Sequence, residues 1–139
     1  YSTKAINTGG RDGESRLPDG SFSVRVSTPK SMGGAGQGSN PEQLFALGYS
    51  ACYHSALDHY KQVEKIENDS LVELTVNLLG DPTDNGFKLA VEIEVAIDGL
   101  EDNKVQELAE KANAFCPYSK AVRNNIDVTV KTMPYEKQA

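Results

Sequence analysis

Two thiols and one arginine carry the reactive chemistry of this 139-residue chain. Cys52 lies mid-way through an uncharged run, LFALGYSACYHSAL from Leu44 to Leu57, and Cys116 opens the tetrad Cys116-Pro117-Tyr118-Ser119. They are the only two cysteines, and settings this different point to a redox pair. Burial disfavours the thiolate that does thiol chemistry, so Cys52 needs a cation brought to it. Arg11, in the turn-like Gly9-Gly10-Arg11-Asp12-Gly13, is the predicted source, because flanking glycines let a backbone approach another element and aim one side chain. An arginine so placed needs its own counter-charge, and Glu42 is the predicted bidentate partner. Ten residues of straight helix put Glu42 about 15 Å along the axis from Cys52. Direct Glu42–Cys52 contact within one chain is therefore not expected: either the guanidinium bridges the gap or Glu42 comes from a second subunit.

Each residue also has a plainer reading. Cys52 alone is a small core hydrophobe, Arg11 a solvated loop residue, and Glu42 a carboxylate favoured near a helix N-terminus. Tyr49 and Tyr53, four apart, read as core or interface aromatics. Cys116 before Pro-Tyr at a helix start resembles the glutaredoxin tetrad, and helix-end logic makes it the more acidic thiol. That tetrad, however, follows the first strand of a thioredoxin-like fold, whereas here it follows a hairpin and a helix near the end of the chain. Of His54 and His59, only His59 shares a helix face with Cys52, and two turns separate them. No ligand set spaced for zinc is present.

The elements that must position these residues follow from periodicity. Ser21 to Ser27 alternates as a half-buried strand, with Phe22, Val24 and Val26 on one face. The glycine-rich stretch from Lys30 to Asn40 lacks the Gly-Lys-Ser/Thr ending of a phosphate cradle and reads as a lid or pocket wall. Asn40 is the predicted N-cap of a helix running to about Lys65, with Pro41 at its first position and Gln43 placed to complete a capping box. The first half of this helix is apolar almost all round and must be covered on every side, so a second copy of the chain is the expected cover. Val72 to Leu78 and Phe87 to Ile97 alternate around the turn Asp81 to Gly86 as a hairpin with one wet face. Helices are expected over about Leu100 to Ala114 and Pro117 to Asn124, then a last strand through Ile126, Val128 and Val130. This order is α+β in a single domain, 1–139, with antiparallel sheets around a long central helix.

Apolar residues are 38% and charged residues 24% of the chain, without low-complexity tracts, as in a globular protein. A net charge of -6 with no Lys/Arg cluster excludes a nucleic-acid surface. No run is long and apolar enough to span a membrane, and the first residues lack the pattern of a signal peptide, so a cytoplasmic setting is expected.

Together, GGRDG at 9–13, NPEQLFALGYSAC at 40–52 and FCPYSKAVRNNIDV at 115–128, with the cysteines 64 positions apart, resemble the organic hydroperoxide resistance (Ohr) group of the OsmC/Ohr family. GGRDG favours Ohr over its OsmC sister group. The resemblance implies an intertwined homodimer with sites at the subunit interface. It assigns Cys52 as peroxidatic cysteine, Cys116 as resolving cysteine, and Arg11 and Glu42 as the pair that activates the thiolate. It further implies organic, including fatty-acid, hydroperoxides as substrates and a dithiol, such as a lipoyl group on a protein, as reductant. No metal, flavin or nucleotide cofactor is required. Met32, Leu44 and Phe45 are the expected lining of a channel for an alkyl tail, with Tyr118 and Pro117 shaping the site beside Cys116. Two other classes remain: a non-catalytic binder of apolar small molecules, and a general thiol-disulfide oxidoreductase.

Overall fold

The computed structural model describes residues 1–136. The chain divides into two compact units, one ending at Phe45 and the other beginning at Ala46.

The first unit is built on a small antiparallel sheet: β1 (Ile6–Thr8), β2 (Gly13–Arg16) and β3 (Ser23–Val26). Neither β1 nor β2 was expected, because INT and GESR are too short and too polar to show alternation. They flank the GGRDG turn, whose reversal is sealed by the Asp12 N–H donating to the Gly9 carbonyl at 3.0 Å. Gly13 has to be glycine: a Cβ there would lie 1.9 Å from the Thr8 carbonyl oxygen. Beyond β3, the stretch from Lys30 folds back as a short 3-10 turn (Lys30–Met32). The Gly34 and Gly36 N–H groups donate to the Pro29 and Thr28 carbonyls. The stretch rejoins β3 through Ser27 N–H to Ser39 carbonyl and Ser39 N–H to Arg25 carbonyl, both 2.8 Å.

There α1 (Pro41–Val63) begins. Asn40 caps it as expected, its Oδ1 accepting the Gln43 N–H at 2.9 Å. The reciprocal half of the capping box is replaced, since Gln43 Oε1 accepts the Ser39 hydroxyl at 3.0 Å. The helix ends at Val63, and Lys65 takes the left-handed conformation that closes it.

In the second unit β4 (Ser70–Asp81) and β5 (Gly86–Ile97) form the expected hairpin, paired from Ser70↔Ile97 to Asp81↔Gly86. Asp81 and Asp84 carboxylates accept the Thr83 and Gly86 N–H groups in its turn. Helices α2 (Asp102–Phe115) and α3 (Pro117–Val122) follow, then β6 (Asp127–Thr132). The α+β class stands, but the expectation of antiparallel sheets is corrected at β6, which pairs with β5 in parallel from Ala90↔Asp127 to Val95↔Thr132. The physical reason is the connection: two intervening helices return the chain to the end from which β5 started, which a tight hairpin cannot do.

The core of this unit lies between β5, α2 and one stripe of α1. Val91, Ile93 and Val95 alternate inward from β5, while Val105, Leu108, Ala109 and Ala112 fall at helical spacing on α2. Tyr49, Tyr53, Ala56 and Leu57 form the inward stripe of α1. The Tyr53 hydroxyl donates to the Ala109 carbonyl at 2.6 Å, which satisfies a buried phenol and ties α1 to α2. Among the described residues no helix is long and apolar enough to cross a membrane.

Leu108→Ala should lower stability by about 2–5 kcal/mol through the cavity it leaves. Asn40→Ala should cost about 1 kcal/mol through the lost cap. Urea unfolding midpoints would separate the two, and equal losses would contradict this division of the energetics.

Candidate active site

Arg11 stands in the turn between β1 and β2, and the turn is braced on both flanks. The Asn7 side chain accepts the Gly10 N–H at 2.9 Å and donates to the Glu14 carbonyl at 3.1 Å, while Arg25 holds Asp12 at 2.9 Å. Arg11 itself grips Glu42 of the same chain with both terminal nitrogens, Nη1 to Oε2 at 3.0 Å and Nη2 to Oε1 at 2.6 Å. This fork-on-fork geometry is what a guanidinium offers and a lysine does not. Glu42 sits in the first turn of α1, where the helix dipole already favours a carboxylate. The Arg11 hydrogen bond holds the Glu42 carboxyl below its ordinary value against the opposing effect of burial, and Glu42 in turn raises the Arg11 pKa.

The second unit brings the two thiols together. Cys52 is the central residue of α1, and Cys116 is the hinge between α2 and α3, extended at φ -61° and ψ 126°. The hinge is fixed on both sides. Its N–H donates to the Ala112 carbonyl at 2.8 Å, its carbonyl accepts the Lys120 N–H at 2.9 Å, and Pro117 starts α3 where no N–H is needed. The Cys116 thiol donates to Cys52 Sγ across 3.6 Å. A disulfide needs about 2.05 Å, so the sulfurs are near but unbonded. Cys116 is fully buried, whereas Cys52 is half-buried.

Cys52 also faces an open groove of about 420 Å³, lined with it by Ser55, Ala56, His59, Phe115 and Pro117. Ser55, Ala56 and His59 follow Cys52 at helical spacing on one stripe of α1, so the Cys52–His59 register was the signal in the sequence for this wall. Phe115 stacks flat on His59, centroids 4.7 Å apart, with Tyr60 edge-on. Of the residues expected to contact an alkyl tail, Tyr118 is in this unit, its ring 5.5 Å from that of Tyr49. Met32, Leu44 and Phe45 lie in the first unit, Met32 in the short 3-10 turn and the other two on the first turns of α1.

Burial is the main influence on the Cys52 thiol and pushes its pKa up; the neighbouring Cys116 adds to the rise. Opposing both is a hydrogen bond from the Tyr118 backbone N–H, in the first turn of α3. A first-turn donor of α3 thus serves the sulfur of α1. Side-chain chemistry in the sequence gives no sign of a backbone donor.

The OsmC-like protein family model matches residues 34–131. An organic hydroperoxide resistance protein-like 2 of Staphylococcus epidermidis is 50% identical over 130 residues, 92% of each chain. The chain belongs to the organic hydroperoxide resistance group of the OsmC-like family. Solved structures of that group agree: the crystal structure of OhrB of Bacillus subtilis matches with a TM-score of 0.88 at 42% identity, covering 96% of this chain and 98% of that one. An organic hydroperoxide resistance protein from Legionella pneumophila matches at 0.89 and 41%, covering 95% and 96%.

The Arg11–Glu42 pair has a testable pH signature. Because the folded pKa of Glu42 lies below its unfolded value of 4.5, its contribution is complete above that pH and is lost as pH falls through the lower folded value. Arg11 is 42% exposed, so the pair should contribute no more than about 1 kcal/mol. Glu42→Gln should therefore cost up to that amount near neutrality and almost nothing at about pH 2, measured by urea unfolding. A cost independent of pH would contradict the assignment.

Proposed function

We propose that this chain is a two-cysteine peroxidase that reduces organic hydroperoxides to alcohols and so defends against oxidative stress. The observation that carries the reading is the asymmetry of the thiol pair: two sulfurs 3.6 Å apart, one open to an apolar-walled groove and the other sealed in the core. A substrate from solvent can meet Cys52 only. Relatives named for organic hydroperoxide resistance, at 50% and 42% identity, support the substrate class.

In the proposed cycle the Cys52 thiolate attacks the terminal oxygen of the hydroperoxide. An S–O bond forms, the O–O bond breaks, and the alkoxide takes a proton to leave as the alcohol. The Tyr118 N–H favours the thiolate, and Arg11, held in shape by Glu42, is assigned the cation that stabilises the thiolate and then the developing alkoxide. Cys116 then attacks Sγ of the Cys52 sulfenic acid. The S–S bond forms, the S–O bond breaks, and hydroxide leaves as water with the Cys116 proton. A dithiol, proposed to be a protein-bound lipoyl group, supplies two electrons and two protons to restore both thiols and becomes a disulfide itself. A fatty-acid tail fits a groove of this size and apolar character, within the general range of ligand pockets. The setting is proposed to be cytoplasmic.

A homodimer is part of the proposal. Leu47 and Val63 on α1 are 66% and 64% exposed, as expected of apolar positions that a second copy covers. Leu47→Asp should shift the protein toward monomer in sedimentation velocity, and an unchanged sedimentation coefficient with wild type already monomeric would remove the dimer.

Oxidation of the reduced protein by cumene hydroperoxide and by hydrogen peroxide, followed by stopped flow and mass spectrometry, tests the chemistry. Wild type should oxidise faster with the organic peroxide and gain one intramolecular disulfide. Cys52→Ser should fall to the uncatalysed level, and Cys116→Ser should turn over once and stop at an oxidised Cys52. Slow reaction of wild type with both peroxides would sink the reading.

A further inference from the structure

Cys116 is carried into place by a helix that cannot hold its own position. With six residues, α3 is far below the length at which a helix is stable alone, so its placement depends on ties to its neighbours. Toward α2 the tie is Arg123, whose guanidinium donates to the Asn113 and Ala114 carbonyls. Toward α1 there is a buried pairing of hydroxyls, Tyr49 Oη and Ser119 Oγ, 2.6 Å apart, from residues 0% and 3% exposed.

The spacing of this pairing matters. Tyr49 precedes Cys52 by three residues on α1, and Ser119 follows Cys116 by three on the opposing segment, so each hydroxyl lies about one helical turn from its cysteine. The thiol pair Cys52–Cys116 and the hydroxyl pair Tyr49–Ser119 are therefore two adjacent rungs between the same two segments. Gly48 leaves room for the Tyr118 ring beside α1: a Cβ there would lie 3.0 Å from the Tyr118 hydroxyl.

We infer that the Tyr49–Ser119 hydrogen bond holds Cys116 in register with Cys52 during the catalytic cycle, making Tyr49 and Ser119 positioning residues for disulfide formation. The inference rests on the two-cysteine peroxidase reading. The thiol rung cannot hold itself. Once Cys52 carries a sulfenic oxygen, that oxygen intrudes on the sulfur–sulfur contact, at the stage when Cys116 must approach from 3.6 Å to bonding distance. The hydroxyl rung contains no sulfur and takes no part in the bond changes, so the chemistry at the thiols leaves its atoms unaltered. The step it serves is the balanced one above: S–S forms, S–O breaks, and water leaves with the Cys116 proton. A reaction between held groups is sensitive to displacements of about 1 Å, so loss of the rung should act on this step in particular.

The test is the ratio of two rates in one experiment: disulfide formation over sulfenic acid formation at Cys52, measured by rapid quench and mass spectrometry in the full-length protein. Tyr49→Phe, which keeps the ring, and Ser119→Ala should each lower that ratio about ten-fold. Each should also raise the fraction of Cys52 driven to sulfinic acid by excess peroxide. The double variant should be no worse than either single one, because both remove the same bond. Ratios within two-fold of wild type in both single variants would overturn the inference. So would equal slowing of both steps, which would mark the pair as packing alone. If wild type forms no sulfenic acid at all, the peroxidase reading fails first, and the experiment distinguishes that case. Should Ser119→Ala fail to fold, Tyr49→Phe carries the same test.

Discussion

The site in the second unit depends on one short approach, the 3.6 Å between a sulfur in the middle of a helix and a sulfur at a hinge. A mid-helix cysteine cannot reach far, so its partner has to be delivered. The chain does this by breaking one helix and starting another at Cys116. The extended backbone there turns the chain, Pro117 starts α3 without an orphan donor, and the bonds to the Ala112 carbonyl and from the Lys120 N–H keep both helix ends satisfied. That α3 begins beside Cys52 also explains why the Tyr118 N–H falls on the foreign sulfur.

The delivery works only because α1 is itself immobilised. Tyr53 is bonded to the Ala109 carbonyl, and burial holds its phenol well above the ordinary tyrosine range, so it remains a donor at any physiological pH. Leu57, one turn on, is completely buried as well. The same helix thus presents two kinds of side: a stripe of Tyr49, Tyr53, Ala56 and Leu57 in the core, and a stripe through Cys52, Ser55 and His59 along the groove. Ala56 borders both.

Much of this was legible in the sequence, for identifiable reasons. The N-cap at Asn40, the hairpin about Asp81 to Gly86, and the run of α2 follow from local rules, since capping, turn chemistry and periodicity involve residues close in sequence. The Arg11–Glu42 pair was legible because a charge in a glycine-braced turn needs a partner. The rest depends either on side-chain staples that leave no periodicity or on contacts distant in the chain. β1 and β2 carry no alternation and exist because the turn between them is stapled by Asn7. The parallel pairing of β6 is set by the helices before it, since Ile126, Val128 and Val130 alternate equally well in either direction. The Tyr118 N–H and the Tyr49–Ser119 bond join atoms whose neighbourhood no sequence pattern announces: Tyr49 is the core aromatic the sequence predicts, but its hydroxyl partner is not legible there.

Unequal exposure of the two sulfurs has a further consequence for the return half of a thiol cycle. Were the pair joined, an entering thiol from solvent would find only the α1 sulfur accessible, so the mixed disulfide would always form there and the sulfur at the hinge would always be the leaving group. The regiochemistry of reduction would thus be dictated by burial and not by the intrinsic acidity of either thiol. A bulky carrier protein would need to present its reactive sulfur along the wall formed by Ser55, His59 and Phe115. Oxidant and reductant would then use one doorway in turn, and neither could be admitted while the other occupied it.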